Sequence, residues 1–310
     1  MNGLMQRVII VSLTWLSCFN FSLPAHAATT AEGQSSIPPR GALYQVSDGR
    51  HSLLLFGTIH VGAPDFYPLE PRLTRALSAA PVLALELDPD NGAAMQNAVQ
   101  RYALYPDGQR LQDHLDPALA QRTIATLERM GLPLQAVQHM RPWMLAMALT
   151  VQEYGRHGYR TDLAVDSHLA NAVRAHGGKA VELESADRQM SLFSQLTEAQ
   201  QAEFLADTLR ELDDAALSRK LDLLVTAWRH ADSAGFATAL KDMRQDDSFA
   251  TRFTLKTLLQ QRNPGLAKGV ADLLRQHDGA VAAIGILHLV GPDSVPLLLK
   301  KTGLQVKQLY

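Results

Sequence analysis

Three short runs constrain this fold more than anything else in the chain: 53–56 (LLLF), 82–87 (VLALEL) and 280–284 (AVAAI). Each is apolar or nearly so at consecutive positions, and 82–87 carries the acid Glu86 near its end. Continuous rather than alternating hydrophobicity marks a strand buried on both faces, the kind found in parallel sheets covered by helices. Between the first two runs, residues 68–79 have a helical pattern, with Pro71 in the first turn. Strand, helix, strand in that order favours a parallel pair joined by a right-handed crossover. The expected fold class is therefore α/β (α+β), with a central, mostly parallel sheet.

The first and third runs end alike. Residues 53–62 read LLLFGTIHVG and residues 281–291 read VAAIGILHLVG, so each strand is followed by Gly-x-x-His. The two ends of the chain look like weak copies of one unit. Helical patterns fill most of the interval, at about 91–104, 116–130, 133–156, 163–176, 186–196, 197–230, 232–242, 246–261 and 264–276. A short strand near 180–184 follows Gly177-Gly178. The sheet is thus built from two weakly repeated halves around a large helical insert, about 91–276. A hairpin through Asp48-Gly49 opens the fold. A helix near 293–302 and a strand at 304–309 close it.

Open α/β sheets place ligands at the carboxyl ends of their strands. Gly57 and Gly285 permit a tight turn and a close approach there. His60 and His288 offer a neutral nitrogen ligand or a proton shuttle. Glu86 leaves its apolar strand at the same edge. Two histidines and a carboxylate are a common donor set for a hydrolytic divalent ion, leaving a position open for water. Glu182 and Glu184 end another predicted strand and are expected to orient the ligands. Taken singly, a histidine here caps a strand end and Glu86 is a cap or ion-pair acid. The matched placement favours function.

Other candidates are less direct. Arg141 opens a long apolar helix at Arg-Pro-Trp, where its charge opposes the macrodipole. That points to an acidic partner or a substrate carboxylate, against a plain surface role. Asp166 is a helix cap or an orienting carboxylate, and Arg262-Asn263 precedes Pro264 at a helix boundary. No His-Glu-x-x-His, Gly-x-Ser-x-Gly, Gly-x-Gly-x-x-Gly or Walker loop occurs. The net charge is −2 with no basic run, so nucleic acid is not an expected partner.

Residues 1–27 read as a secretory signal: Arg7, an apolar run from Val8 to Phe21, then Ala25-His26-Ala27. Export to a periplasm is expected, with no stable membrane span after cleavage. Residues 28–40 form a polar, flexible leader, and 41–310 the folded domain. Cys18, the one cysteine, lies within the signal. It is a poor lipoprotein acceptor, because Trp15 stands where an aliphatic residue is expected. The mature chain then has no thiolate ligand or cysteine nucleophile.

In order, GTIHVG, FYPL, LALELD, RPWMLAMAL, AVDSHL, VELES, QRN and GILHLVGPDSV resemble the TraB/GumN family, which is related to the Tiki-type metal-dependent proteases. The resemblance spans about 42–310. It implies a peptidase-like, metal-dependent hydrolase with His60, His288 and Glu86 as metal and catalytic residues. Arg141, Arg262 and Asn263 match further family positions. A divalent manganese, cobalt or zinc ion is the implied cofactor, and a peptide or protein the implied substrate. Many relatives have a second glycine where this chain has Leu287. Two other functions fit the same residues: an envelope protein that binds a metal, ligand or partner without turnover, and a metal-free, esterase-like hydrolase. The sequence leaves the substrate, the metal and the oligomeric state open.

Overall fold

The computed structural model describes residues 37–310. The expected signal, Cys18 and the leader up to residue 36 lie outside the described residues. Six strands form one sheet: β1 (Leu43–Ser47), β2 (Ser52–Thr58), β3 (Val82–Leu85), β4 (Lys179–Glu182), β5 (Val281–Gly285) and β6 (Gln305–Gln308). Their spatial order is β4-β3-β5-β2-β1-β6. The β4-β3, β3-β5 and β5-β2 pairs are parallel, whereas β1 pairs antiparallel with β2 and β6. The fold is the expected mixed α/β class with a mostly parallel sheet.

One expectation about neighbours is revised. The strand–helix–strand pattern suggested that β2 and β3 pair directly, but β5 lies between them. It joins from the far end of the chain because it is fully apolar: Val281 to Ile284 are completely buried. Only the sheet centre buries both faces of such a strand. The result brings the two Gly-x-x-His strands side by side, with Thr58 opposite Gly285 and Gly57 opposite Ile284.

The helical interval has its own core. Trp143 stacks on Phe193 at 4.2 Å, and Phe193 meets Phe204 and Phe253. This cluster also takes in Leu145, Leu149, Leu205 and Leu209, and is separate from the apolar cluster around the sheet. Two long expected helices are broken in two. The stretch at 133–156 divides into Leu134–Val137 and Pro142–Arg156. Arg141 between them is extended (φ −68°, ψ 154°), as the residue before proline should be. The stretch at 197–230 divides at Ala215, whose φ of 53° ends Glu198–Asp213 before Ala216–Arg229 begins. No helix among the described residues is long and apolar enough to cross a membrane.

One loop contact fixes the geometry of the sheet edge. Gly62, just past β2, exchanges two 2.8 Å backbone hydrogen bonds with Arg160. This draws the helix Val165–Ala175 against the end of β2. A side chain at Gly62 has no space, because a Cβ there would lie 1.7 Å from the Leu163 carbonyl oxygen. Gly92, the first residue of the helix Gly92–Ala98, is the contrasting case, with nothing within 4 Å of its would-be Cβ. Gly62→Ala is therefore expected to cost at least about 1–3 kcal/mol of overpacking. Gly92→Ala should leave stability unchanged or raise it by up to about 1 kcal/mol. Urea denaturation of both variants measures the difference.

Candidate active site at the carboxyl edge of the sheet

Three strands deliver the site. His60 lies two residues past β2 and Glu86 is the first residue past β3. His288 sits on the 3-10 turn Ile286–Leu289 that follows β5. These strands are parallel and adjacent, so all three side chains reach the same edge. The missing side chain of Gly285 marks where they meet. A Cβ there would have as its nearest atoms Glu86 Oε1 at 3.2 Å, His60 Nε2 at 3.4 Å and His288 Cδ2 at 3.7 Å.

Each group is held from behind. His60 Nδ1 lies 3.0 Å from Asp166 Oδ2. The other Asp166 oxygen accepts a 2.8 Å hydrogen bond from the Thr58 hydroxyl. Asp166 belongs to the helix that Gly62 draws in. His288 Nδ1 lies 2.5 Å from Asn263 Oδ1, and the Asn263 amide nitrogen donates to the Asp293 carbonyl at 2.7 Å. That second bond turns the Asn263 carbonyl oxygen toward the ring, so His288 Nδ1 carries the proton. Its Nε2 then presents a lone pair, 3.9 Å from Glu86 Oε2.

Glu86 is the most constrained member. Its Oε1 accepts the Gly285 N–H at 2.6 Å and its Oε2 accepts from Arg262 Nη2. Arg262 also donates through Nε to Glu184 Oε2 at 2.8 Å and through Nη1 to the Leu258 carbonyl at 3.0 Å. Glu184 stands beside Glu86 because the β3-β4 ladder continues past both strands: its N–H donates to the Glu86 carbonyl at 3.1 Å. Glu182, on β4, turns away and accepts from Asp88 N and Asn91 Nδ2.

The environments push the two imidazoles apart. Burial would lower His60, but the Asp166 carboxylate beside it, with help from Glu86, raises it to about 9. Its side chain is 52% exposed, so solvent screens part of that attraction. His288 is 3% exposed. Burial first, then the Arg262 and His60 charges, lower it to about 4 against the pull of Glu86. Burial alone would raise the Glu86 carboxyl. Arg262, the two histidines and the Gly285 N–H override it and hold the group well below the usual carboxylate range.

The remaining candidates divide. Asp166, Glu184, Arg262, Asn263 and Gly285 all touch His60, Glu86 or His288. Gly57 lies one strand residue short of them, and its carbonyl accepts the Trp228 indole N–H at 2.9 Å. A Cβ on Gly57 would lie 2.4 Å from Ile286 Cδ1, so this glycine lets the turn carrying His288 close over β2. Arg141 makes none of its contacts with the two histidines or Glu86. Its guanidinium lies 4.7 Å from the centre of the Tyr105 ring, and its N–H donates to the Ala103 carbonyl. Thr58 was not singled out from sequence. The signal was available, since residues two apart on a strand share a face and Thr58 precedes His60 by two.

A family model for the TraB/PrgY/gumN family matches residues 42–308. The chain belongs to the TraB/PrgY/gumN family. Among its relatives, the uncharacterized protein YbaP of Shigella flexneri is 27% identical over 253 residues, which cover 81% of this chain and 88% of the relative. The YbaP of Escherichia coli K12 is 26% identical over 254 residues, covering 81% and 89%. No solved structure matches this chain.

Two outcomes follow from this electrostatic arrangement. Arg262→Gln leaves two buried carboxylates facing each other and should cost about 3–5 kcal/mol, read by urea denaturation. The histidines set the pH dependence. His60 is raised, so its contribution to stability is present below its ordinary value of 6.5 and is lost as pH rises toward 9. His288 is lowered, so its contribution is present above 6.5 and is lost as pH falls toward 4. Asp166→Asn should remove the alkaline loss and His288→Gln the acid one, in denaturation curves measured across that range.

Proposed function

We propose that this member of the family is an exported, metal-dependent hydrolase, peptidase-like in its chemistry, acting at His60, Glu86 and His288. One observation carries the reading. Both imidazoles have Nδ1 held by an oxygen from a different element, while His60 Nε2, His288 Cδ2 and Glu86 Oε1 surround the one point at Gly285. Holding Nδ1 from behind fixes the tautomer and leaves Nε2 as the donor, the arrangement typical of metal-binding histidines.

The donor set suits a divalent ion of borderline softness: two imidazoles and a carboxylate, with no thiolate. Among the described residues, no group of three or more His, Cys, Asp or Glu side chains is gathered tightly enough to hold an ion. In the proposed holo form, His60 and His288 Nε2 would be ligands, with Glu86 as the third. A divalent ion there would supply Lewis acidity and lower the pKa of water at neutral pH. The protein's own part is to keep Glu86 ionised, to keep His288 neutral and to present His60 to solvent. His60 must surrender a proton to become a ligand, so ion affinity should rise with pH up to about 9.

A metal-free reading has its own support. Arg262 already neutralises Glu86, and the raised His60 beside an un-ionised His288 makes an acid–base pair on one edge. Export rests on the pattern of residues 1–27 alone.

Binding of manganese, cobalt and zinc to the purified protein, measured by titration calorimetry at several pH values, tests the metal. The His60→Ala, His288→Ala double variant should lose near-stoichiometric binding. Hydrolysis of a peptide library, with and without chelator, tests the reaction. Activity abolished by chelator and restored by one of these ions supports the proposal. Full activity in chelator supports the metal-free reading, and no turnover with any ion refutes hydrolysis of these peptides.

A further inference from the structure

A second concave feature lies away from these residues. The helices Asn263–Gln276 and Val295–Lys301, with Leu304 beyond the second, enclose an open groove of about 440 Å³. Its floor is apolar, made of Ala267, Ala271, Leu298 and Leu304. Small side chains at 267 and 271, one turn apart on the same helix face, leave the depth. Lys268, Arg275 and Lys301 line its rim, and no carboxylate of the described residues does.

The charge is unusual for this chain, which carries −2 overall. Asp272 answers two of the three cations, lying 2.7 Å from Lys268 and paired with Arg275. Lys301 has no ion pair among the described residues and stands exposed in the last turn of its helix. The size decides the kind of occupant. Small-molecule sites span roughly 300–1,000 Å³.

We propose that this groove binds an anionic amphiphile: a short alkyl chain lying on the alanine and leucine floor, with a carboxylate head held by Lys301. The complement is chemical on both counts. An apolar floor favours the alkyl chain by about 25 cal/mol per Å² of apolar surface removed from water. The cationic rim fixes which end of the chain faces outward. Arg262 and Asn263, which hold Glu86 and His288, stand at the start of the helix that forms the floor. The proposal is independent of hydrolysis at that edge.

Titration calorimetry of the full chain with decanoate, below its micelle concentration, tests it directly. Saturable one-to-one binding is expected, at least tenfold tighter than for decanol and weakened by salt. Ala271→Trp fills the groove and should abolish binding. Because that site is buried, circular dichroism is used to check the fold. The exposed Lys301→Glu gives a second test and should weaken decanoate at least tenfold while leaving decanol unchanged. The His60→Ala, His288→Ala variant should bind as well as the native protein. The proposal is overturned by an absence of saturable binding, by affinity unchanged in both groove variants, or by loss of binding in the histidine variant. It is also overturned if an acidic peptide binds this groove and decanoate does not.

Discussion

Arg262 is the hinge of the structure. The parallel pairing of β3 and β4 sets Glu86 and Glu184 side by side, both almost wholly buried. Two ionised carboxylates in that setting repel each other and have lost their water, a cost of several kcal/mol per ion. One guanidinium placed between them answers both, and it comes from nearly eighty residues further along the chain. Backbone pairing brings the acids together, so the arginine must arrive for the ladder to persist to its end. The insert's last segment is thereby tied to the sheet. Glu86, once fixed, accepts the Gly285 N–H and aligns the turn that carries His288.

The route by which Arg262 arrives is itself irregular. The helix Phe249–Phe253 continues as a π-helix from Thr254 to Gln260, where hydrogen bonds skip to the fifth residue, as Gln261 N to Lys256 O does. This wider winding is rare and concentrates at functional sites. Here it has a visible consequence, because the Leu258 carbonyl takes a bond from Arg262 Nη1. Asn263 follows immediately and orients His288. A regular helix through 254–260 would rotate both residues away from these partners, so the irregular turn and the two polar anchors form one device.

How much of this was legible varies with the physics behind each feature. Unbroken apolar runs at 82–85 and 280–284 announced buried parallel strands, and parallel strands share one edge, which placed His60, Glu86 and His288 together. The insertion of β5 between β2 and β3 was not legible, since sequence order favours neighbours and only the burial of both faces of Val281–Gly285 overrides it. The break at Arg141 follows from Pro142, but Ala215, whose φ of 53° separates its two helices, has no such signal. Arg262 was visible as a polar residue before a proline. Its partners were not, because they are reached through contacts 176 and 78 residues away. Arg141, whose charge at a helix start pointed to an acidic partner or a substrate carboxylate, lies over the Tyr105 ring face.

Leu287, in the second Gly-x-x-His motif, can now be placed. The turn Ile286–Leu289 points His288 inward and leaves Leu287 on the other flank, in a shallow recess with Leu240, Leu255, Leu259 and Asn263. The atoms nearest the missing Cβ of Gly285 belong to Glu86, His60 and His288, so the leucine is not what crowds that point. It shares that recess with Asn263, whose Oδ1 faces His288 Nδ1. The Asn263–His288 hydrogen bond is buried, and a hydrogen bond in such a low-dielectric setting is stronger than in water. Only His60 remains open to solvent. Behind it, Glu86 and His288 are 5% and 3% exposed. Asp166, on the helix that Gly62 draws in, holds the exposed His60 ring by its Nδ1.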